Sequence, residues 1–171
     1  GKDGAIEALQ RAREQKMVRF LGITGHYDPD VLARAIERFP FDTVLMALNP
    51  ADRHRLSFIE RLLPLANRKG MGVIGMKIPA RGRIFKDGAI TTIKPPLRYV
   101  LSLPISTVII GCDDVPQLEE NVAVARAFSP MPEAEMRALE QATKSYEADA
   151  AWFKKAGTGF SASLFDDQNT E

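Results

Sequence analysis

Four apolar runs, each followed by a stretch patterned as a helix, divide this 171-residue chain into four consecutive strand-then-helix units. Alternation at this spacing predicts parallel strands joined by right-handed crossovers. The helices then lie outside a curling sheet, or on both faces of an open one. A closed barrel of such units needs eight of them and typically about 250 residues. Four units read as half of such a closed structure. The expected class is α/β: half of a (β/α)8 barrel, four parallel strands with outer helices, plus an extra C-terminal helix over residues 132–153. Residues 1–156 form the expected domain, and 157–171, small and polar, the expected flexible tail.

Local signals support each unit. Asp3 can cap an opening helix carrying Ile6, Leu9 and Ala12 at helical spacing. VRFLGIT is short, apolar and not alternating, which predicts a strand buried on both faces. Asp28-Pro29 then supplies a cap and a first-turn proline for a helix whose apolar face is Val31, Leu32, Ala35, Ile36 and Phe39. DTVLMALN is the second strand. Ser57 and Glu60 form a capping box ahead of Phe58, Ile59, Leu62, Leu63 and Ala66, and Gly70 ends that helix. MGVIGMK is the third strand, followed by PARGRIFKDGAITTIKPP, a loop long enough to be functional or disordered. A short helix around Leu97 precedes the fourth strand, STVIIGC, after which Asp114 caps VPQLEENVAVARAF. The chain opens on a helix start without an initiator methionine, and we expect a truncated or processed fragment.

Composition excludes several classes. With 23 Lys and Arg against 22 Asp and Glu, bulk charge supplies no attraction for nucleic acid or a membrane surface. No apolar run reaches membrane-spanning length, and no signal or transit peptide is visible, so a cytoplasmic location is expected. Cys112 is the single cysteine, which rules out an internal disulfide, and no ligand-spaced cluster predicts a metal site.

In order along residues 3–145, the segments GAIEALQRAREQKMVRFLGITGH, FDTVLMALNP, GVIGMKIPARG and LRYVLSLPISTVIIGCDDVPQLEENVAVARAF resemble the C-terminal half of the aldo/keto reductases. Those are (β/α)8 barrels that transfer hydride between NADPH or NADH and a carbonyl or alcohol. The resemblance implies an NADP or NAD cofactor and, in the complete enzyme, a small-molecule carbonyl substrate. It places Thr24 at the nicotinamide carboxamide, with Gly25 where the family has asparagine, and Met76 where many members stack an aromatic ring. It turns Lys77, Arg81 and Gly82 toward the pyrophosphate. Gly111 and Cys112 match positions near the 2′-phosphate, Gln117 stands where NADPH-preferring members often have arginine, and Glu120 and Asn121 match the adenine-binding pair. The family's tyrosine, lysine, aspartate and histidine tetrad lies in the first half of the barrel. No catalytic residue is therefore expected here, and the chain alone is expected to be inactive.

Two partners are implied, the missing N-terminal half or a second copy, because a half barrel leaves the inward faces of Phe20, Leu45, Ile74 and Ile109 uncovered. A non-catalytic nucleotide-binding or regulatory module is the alternative. Other side chains carry simple readings. His26 sits at the site end of its strand, His54 is expected to face solvent, Cys112 to be a buried small hydrophobe, and Lys77 to need a partner at the end of an apolar strand. Arg81, Arg83, Lys86 and Lys94 form a basic loop that either closes on a pyrophosphate or is solvated.

Overall fold

The computed structural model describes residues 4–154. Asp3 and the expected tail, 157–171, lie outside them. Four parallel strands, β1 (Gly22–Gly25), β2 (Thr43–Ala47), β3 (Gly72–Met76) and β4 (Thr107–Val108), pair in sequence order. Helix α1 (Ala5–Glu14) precedes β1, and α2 (Pro29–Arg38) joins it to β2. Helices α3 (Phe58–Arg61) and α4 (Leu63–Arg68) lead to β3, α5 (Lys94–Leu101) to β4, and α6 (Val115–Arg126) follows β4. Beyond α6 come α7 (Glu133–Thr143) and α8 (Glu147–Ala150).

The register explains the layering. Val44 pairs with Val73, both fully buried, and Met46 with Gly75. A Cβ on Gly75 would meet Val100 of α5 at 3.2 Å, so this face points at the helices. Leu32, Ile36, Phe58, Leu62, Leu97 and Val100 complete the core between sheet and helices. Leu45 and Ile74 face the other way, half-buried on the concave side. On that side Phe20 is 64% and Ile109 56% exposed.

Several local expectations hold. Asp28 accepts from the Asp30 amide and Asp114 from the Gln117 amide, capping α2 and α6. Gly70, at φ +67°, ends α4 with Gly70 N–H to Asn67 O and Met71 N–H to Ala66 O, the paired bonds of a Schellman close.

Others need correction. The strand expected over VRFLGIT is confined to Gly22–Gly25 and is not buried on both faces, because no strand covers its outer edge or concave side among the described residues. Val31 is exposed. The helix after Ser57 is two short helices meeting at Leu62, since Pro64 has no N–H to continue the first. Only half of the capping box forms: Ser57 Oγ accepts from Glu60 N–H, while the Glu60 carboxylate turns to Arg53. STVIIGC shrinks to Thr107–Val108, with further bonds to β3 from Ser106 N–H to Val73 O and from Ile109 N–H to Gly75 O. The single C-terminal helix is broken into α7, α8 and two 3-10 turns. The long loop after β3 is anchored by buried Ile84, Ile90 and Ile93.

One buried carboxylate organises the helix side of the mouth. Asp52, 1% exposed, accepts from Ser57 Oγ and the amides of Phe58 and Ile59, and pairs with Lys154, which is fully buried. The Lys154 ammonium also donates to the carbonyls of Arg55 and Leu56. Removing one partner of such a pair strands a buried charge, at a cost of about 3–5 kcal/mol. We expect Lys154→Met to lower the urea midpoint less than Asp52→Ala, which also strips the α3 amides of their acceptor. Equal midpoints for Asp52→Ala and the parent would contradict this assignment.

Candidate functional site

Barrel-type sheets assemble their sites at the carboxyl ends of the strands, and here that end is built by three loops. After β2, Asn49 opens a 3-10 turn (Pro50–His54) by accepting from the Ala51 amide, and its Nδ2 donates to Lys77 O at 3.1 Å. That bond fixes the exit of β3, where Lys77, Ala80 and Arg81 all hold positive φ (61°, 50° and 56°). Such conformations cost on the order of 1 kcal/mol or more for a residue with a Cβ. They turn the chain sharply outward, so the loop of residues 79–93 forms one wall of a cleft. The N-terminus of α6 forms the other wall.

This cleft, about 390 Å³, gathers Arg81, Gly82, Gly111, Gln117, Glu120 and Asn121, six of the residues expected at a cofactor. A second cleft beside it, about 520 Å³, adds Met76 and Lys77. Thr24, Gly25 and Cys112 line neither. Thr24 stays on the exposed concave face of β1. A Cβ on Gly25 would meet Leu32 at 3.1 Å, so this position faces α2, and packing explains its glycine. Cys112 is exposed, contrary to the buried hydrophobe expected, and its Sγ accepts from Asn121 Nδ2 at 3.2 Å. The other end of that amide, Asn121 Oδ1, is buried without a hydrogen-bond partner among the described residues. A buried carbonyl oxygen left unmatched costs about 1–3 kcal/mol.

The basic loop is exposed at Arg81, Arg83, Lys86 and Lys94, yet two of these cations are pinned by an acid of the C-terminal segment. Asp149 of α8 takes Arg83 at 2.7 Å and Lys86 at 2.9 Å, and these two hydrogen bonds, the Lys86 one first, hold its carboxyl below the usual carboxylate range. Tyr146 donates to Ile84 O at 3.2 Å, and Trp152 lies under the guanidinium groups of Arg81 and Arg83. The C-terminal segment is thus strapped across the cleft-lining loop and locked at its far end by Lys154. Sequence reasoning missed this strap. Its aromatic residues share helical spacing with an ordinary core face, and nothing local pairs Asp149 with residues more than sixty positions away.

His26 sits at the mouth, its ring tilted against Phe153 at 5.7 Å. Burial, then Lys77 and Arg81, push its pKa down. No acid pairs with Lys77 among the described residues, so the partner its place at a strand end calls for is not a carboxylate there. His54 does not face solvent as expected: its Nε2 meets Glu140 O at 2.7 Å and ties the Pro50–His54 turn to α7. Tyr99, fully buried, donates to the Glu140 carboxylate at 2.6 Å, and burial followed by that bond pushes its phenol far up. Among the described residues there is no cluster of three or more metal-ligating side chains, and no helix long and apolar enough to cross a membrane.

No family model matches the chain. It is 29% identical over 145 residues to an L-galactose dehydrogenase of Arabidopsis thaliana, covering 69% of this chain and 45% of that one. An aldo-keto reductase of Bacillus halodurans is similar in fold in its holo form, with a TM-score of 0.65 and 20% identity, over 82% of this chain and 55% of that one. Its apo form gives 0.64 and 20%, over 82% and 58%. A thermostable aldo-keto reductase complexed with the inhibitor epalrestat gives 0.62 and 19%, over 80% and 53%. The chain spans about half the length of the proteins it matches. Its resemblance to the aldo/keto reductases therefore stands in sequence and in fold, at the extent of a half barrel.

Two outcomes follow from this geometry. His26 binds fewer protons folded than unfolded, so its contribution to stability falls as the pH drops through the ordinary histidine range. NMR titration of its ring should give a midpoint below that of a free histidine, and Lys77→Met should raise it. An unchanged midpoint in Lys77→Met would show that Lys77 does not reach the ring. Asp149→Asn should speed amide hydrogen exchange across residues 83–90, with α2 amides as the unaffected control.

Proposed function

We propose that this aldo/keto-reductase-like half barrel is the dinucleotide-binding half of an NAD(P)H-dependent oxidoreductase acting on small carbonyl or alcohol substrates. The observation that carries the reading is the cleft itself, which brings together six of the residues the resemblance assigns to the cofactor, Asn121 among them. The residues suit the group. Glu120 and Asn121 line the cleft where the adenine would lie, Arg81 and Lys77 can face the pyrophosphate, and Met76 offers a polarizable apolar surface to the nicotinamide. The cofactor, when bound, supplies the hydride. This chain's part is to hold and orient it, with His26 and the strapped loop closing the mouth.

Completion of the barrel belongs to the same proposal. Exposed Phe20 and Ile109 on the concave side, the uncovered edges of β1 and β4, and an α1 without a buried residue suit closure by four further units or by a second copy. The tetrad would come from those units, so the isolated half binds without turnover. A non-catalytic nucleotide-binding module is the second reading. It is favoured by the tyrosines, since among the described residues Tyr27, Tyr99 and Tyr146 line neither cleft.

Fluorescence titration of the full-length protein with reduced dinucleotide tests the binding. Saturable enhancement of nicotinamide emission is expected, and Asn121→Ala should weaken it by about tenfold, the value of one buried hydrogen bond lost from the complex. The absence of any saturable change would refute the cofactor assignment. Oxidation of the bound cofactor by carbonyl substrates then separates the enzyme from the module.

A further inference from the structure

Resting on the dinucleotide reading above, we infer that the cleft selects NAD(H), whose adenosine ribose keeps its free 2′-hydroxyl, over the 2′-phosphorylated cofactor. The charge of the cleft walls is the first observation. On the α6 side stand two carboxylates, Asp113 and Glu120, and on the loop side a single guanidinium, Arg81. The neighbouring cations Arg83 and Lys86 are drawn away to Asp149. Any bound dinucleotide brings a pyrophosphate, and Arg81 answers charge that both cofactors share. A phosphomonoester adds close to two further negative charges at neutral pH, and the cations at hand, Arg81 and, in the adjoining cleft, Lys77, are the two already assigned to the pyrophosphate.

The second observation concerns the backbone. A helix N-terminus ordinarily offers free amides to an added phosphate. Here Asp113 N–H donates to Gln117 Oε1 at 3.1 Å, and Gln117 N–H to Asp114 Oδ1 at 2.9 Å. The chain's own oxygens already occupy these two amides, and Pro116 has no N–H to offer. A ribose with two free hydroxyls needs the opposite equipment: its O–H groups donate, and a carboxylate such as that of Asp113 accepts. The wall therefore suits a diol and repels a phosphate.

Dissociation constants of NADH and NADPH, measured on the full-length protein by nicotinamide fluorescence at fixed ionic strength, test this. NADH is expected to bind at least about tenfold more tightly, a typical consequence of unpaired like charge in a binding site. Gln117→Arg frees the Asp113 amide and adds a cation, and it should narrow that gap by tightening NADPH. Asp113→Ser should narrow it by removing a repulsive charge, without depending on the first variant folding. Equal affinities, or tighter NADPH binding, by the parent protein would overturn the inference while leaving the dinucleotide reading intact. Binding of neither cofactor would overturn both.

Discussion

A carboxylate withdrawn from water must be matched by donors on nearly all its lone pairs, and Asp52 meets that demand by recruiting three parts of the chain at once. Its partners are the Ser57 hydroxyl, the first amides of α3 and the ammonium of Lys154, about a hundred residues away in sequence. Because the cost of leaving any of these unpaired is several kcal/mol, the C-terminal segment has one place to lie. From there Trp152, Asp149 and Tyr146 reach the loop after β3, and that loop is the wall of the cleft. The geometry of the mouth is thus inherited from a pair buried behind it.

The sheet supplies the frame for that mouth and is itself open. Parallel register puts Val44 and Val73 against the helices, and leaves Leu45 and Ile74 facing a concave side that nothing described covers completely. At one edge α1 contributes no buried residue. At the other, α6 exposes Val115, Leu118 and Val122 at helical spacing. Apolar surface at both ends of a half barrel is the arrangement that closure would bury.

Much of the cleft was readable residue by residue, for reasons that differ. Asp28, Asp114 and Gly70 announce themselves because capping is a local bargain between a side chain or a flexible φ and the nearest amides. Gln117, Glu120 and Asn121 fall on one helix, one turn apart, so placing the helix places them together. Gly25 misled, because glycine next to an expected ligand position turns out to answer the close approach of Leu32. The expected burial of VRFLGIT on both faces failed because an apolar run records what a strand could bury, and here the covering neighbour is absent among the described residues. His54 and Cys112 exchanged the environments expected of them. Contact with α7 and exposure beside α6 are settled by packing that neither residue's neighbours in sequence reveal.

Local chemistry, carried by the sequence alone, determined the alternation of strands and helices, the parallel class and the half-barrel extent, while the family resemblance marked the side chains that meet at the end of β4. Only the tertiary structure decided which cations remain available in the cleft, where the broken C-terminal helix runs, and which carbonyl oxygen is left without a donor. The physical reason is range. Hydrogen-bonded turns and apolar periodicity act over a few residues, whereas Asp149 with Arg83, Asp52 with Lys154, and the strained exit at Lys77 held by Asn49 depend on distances set only when the whole sheet is assembled.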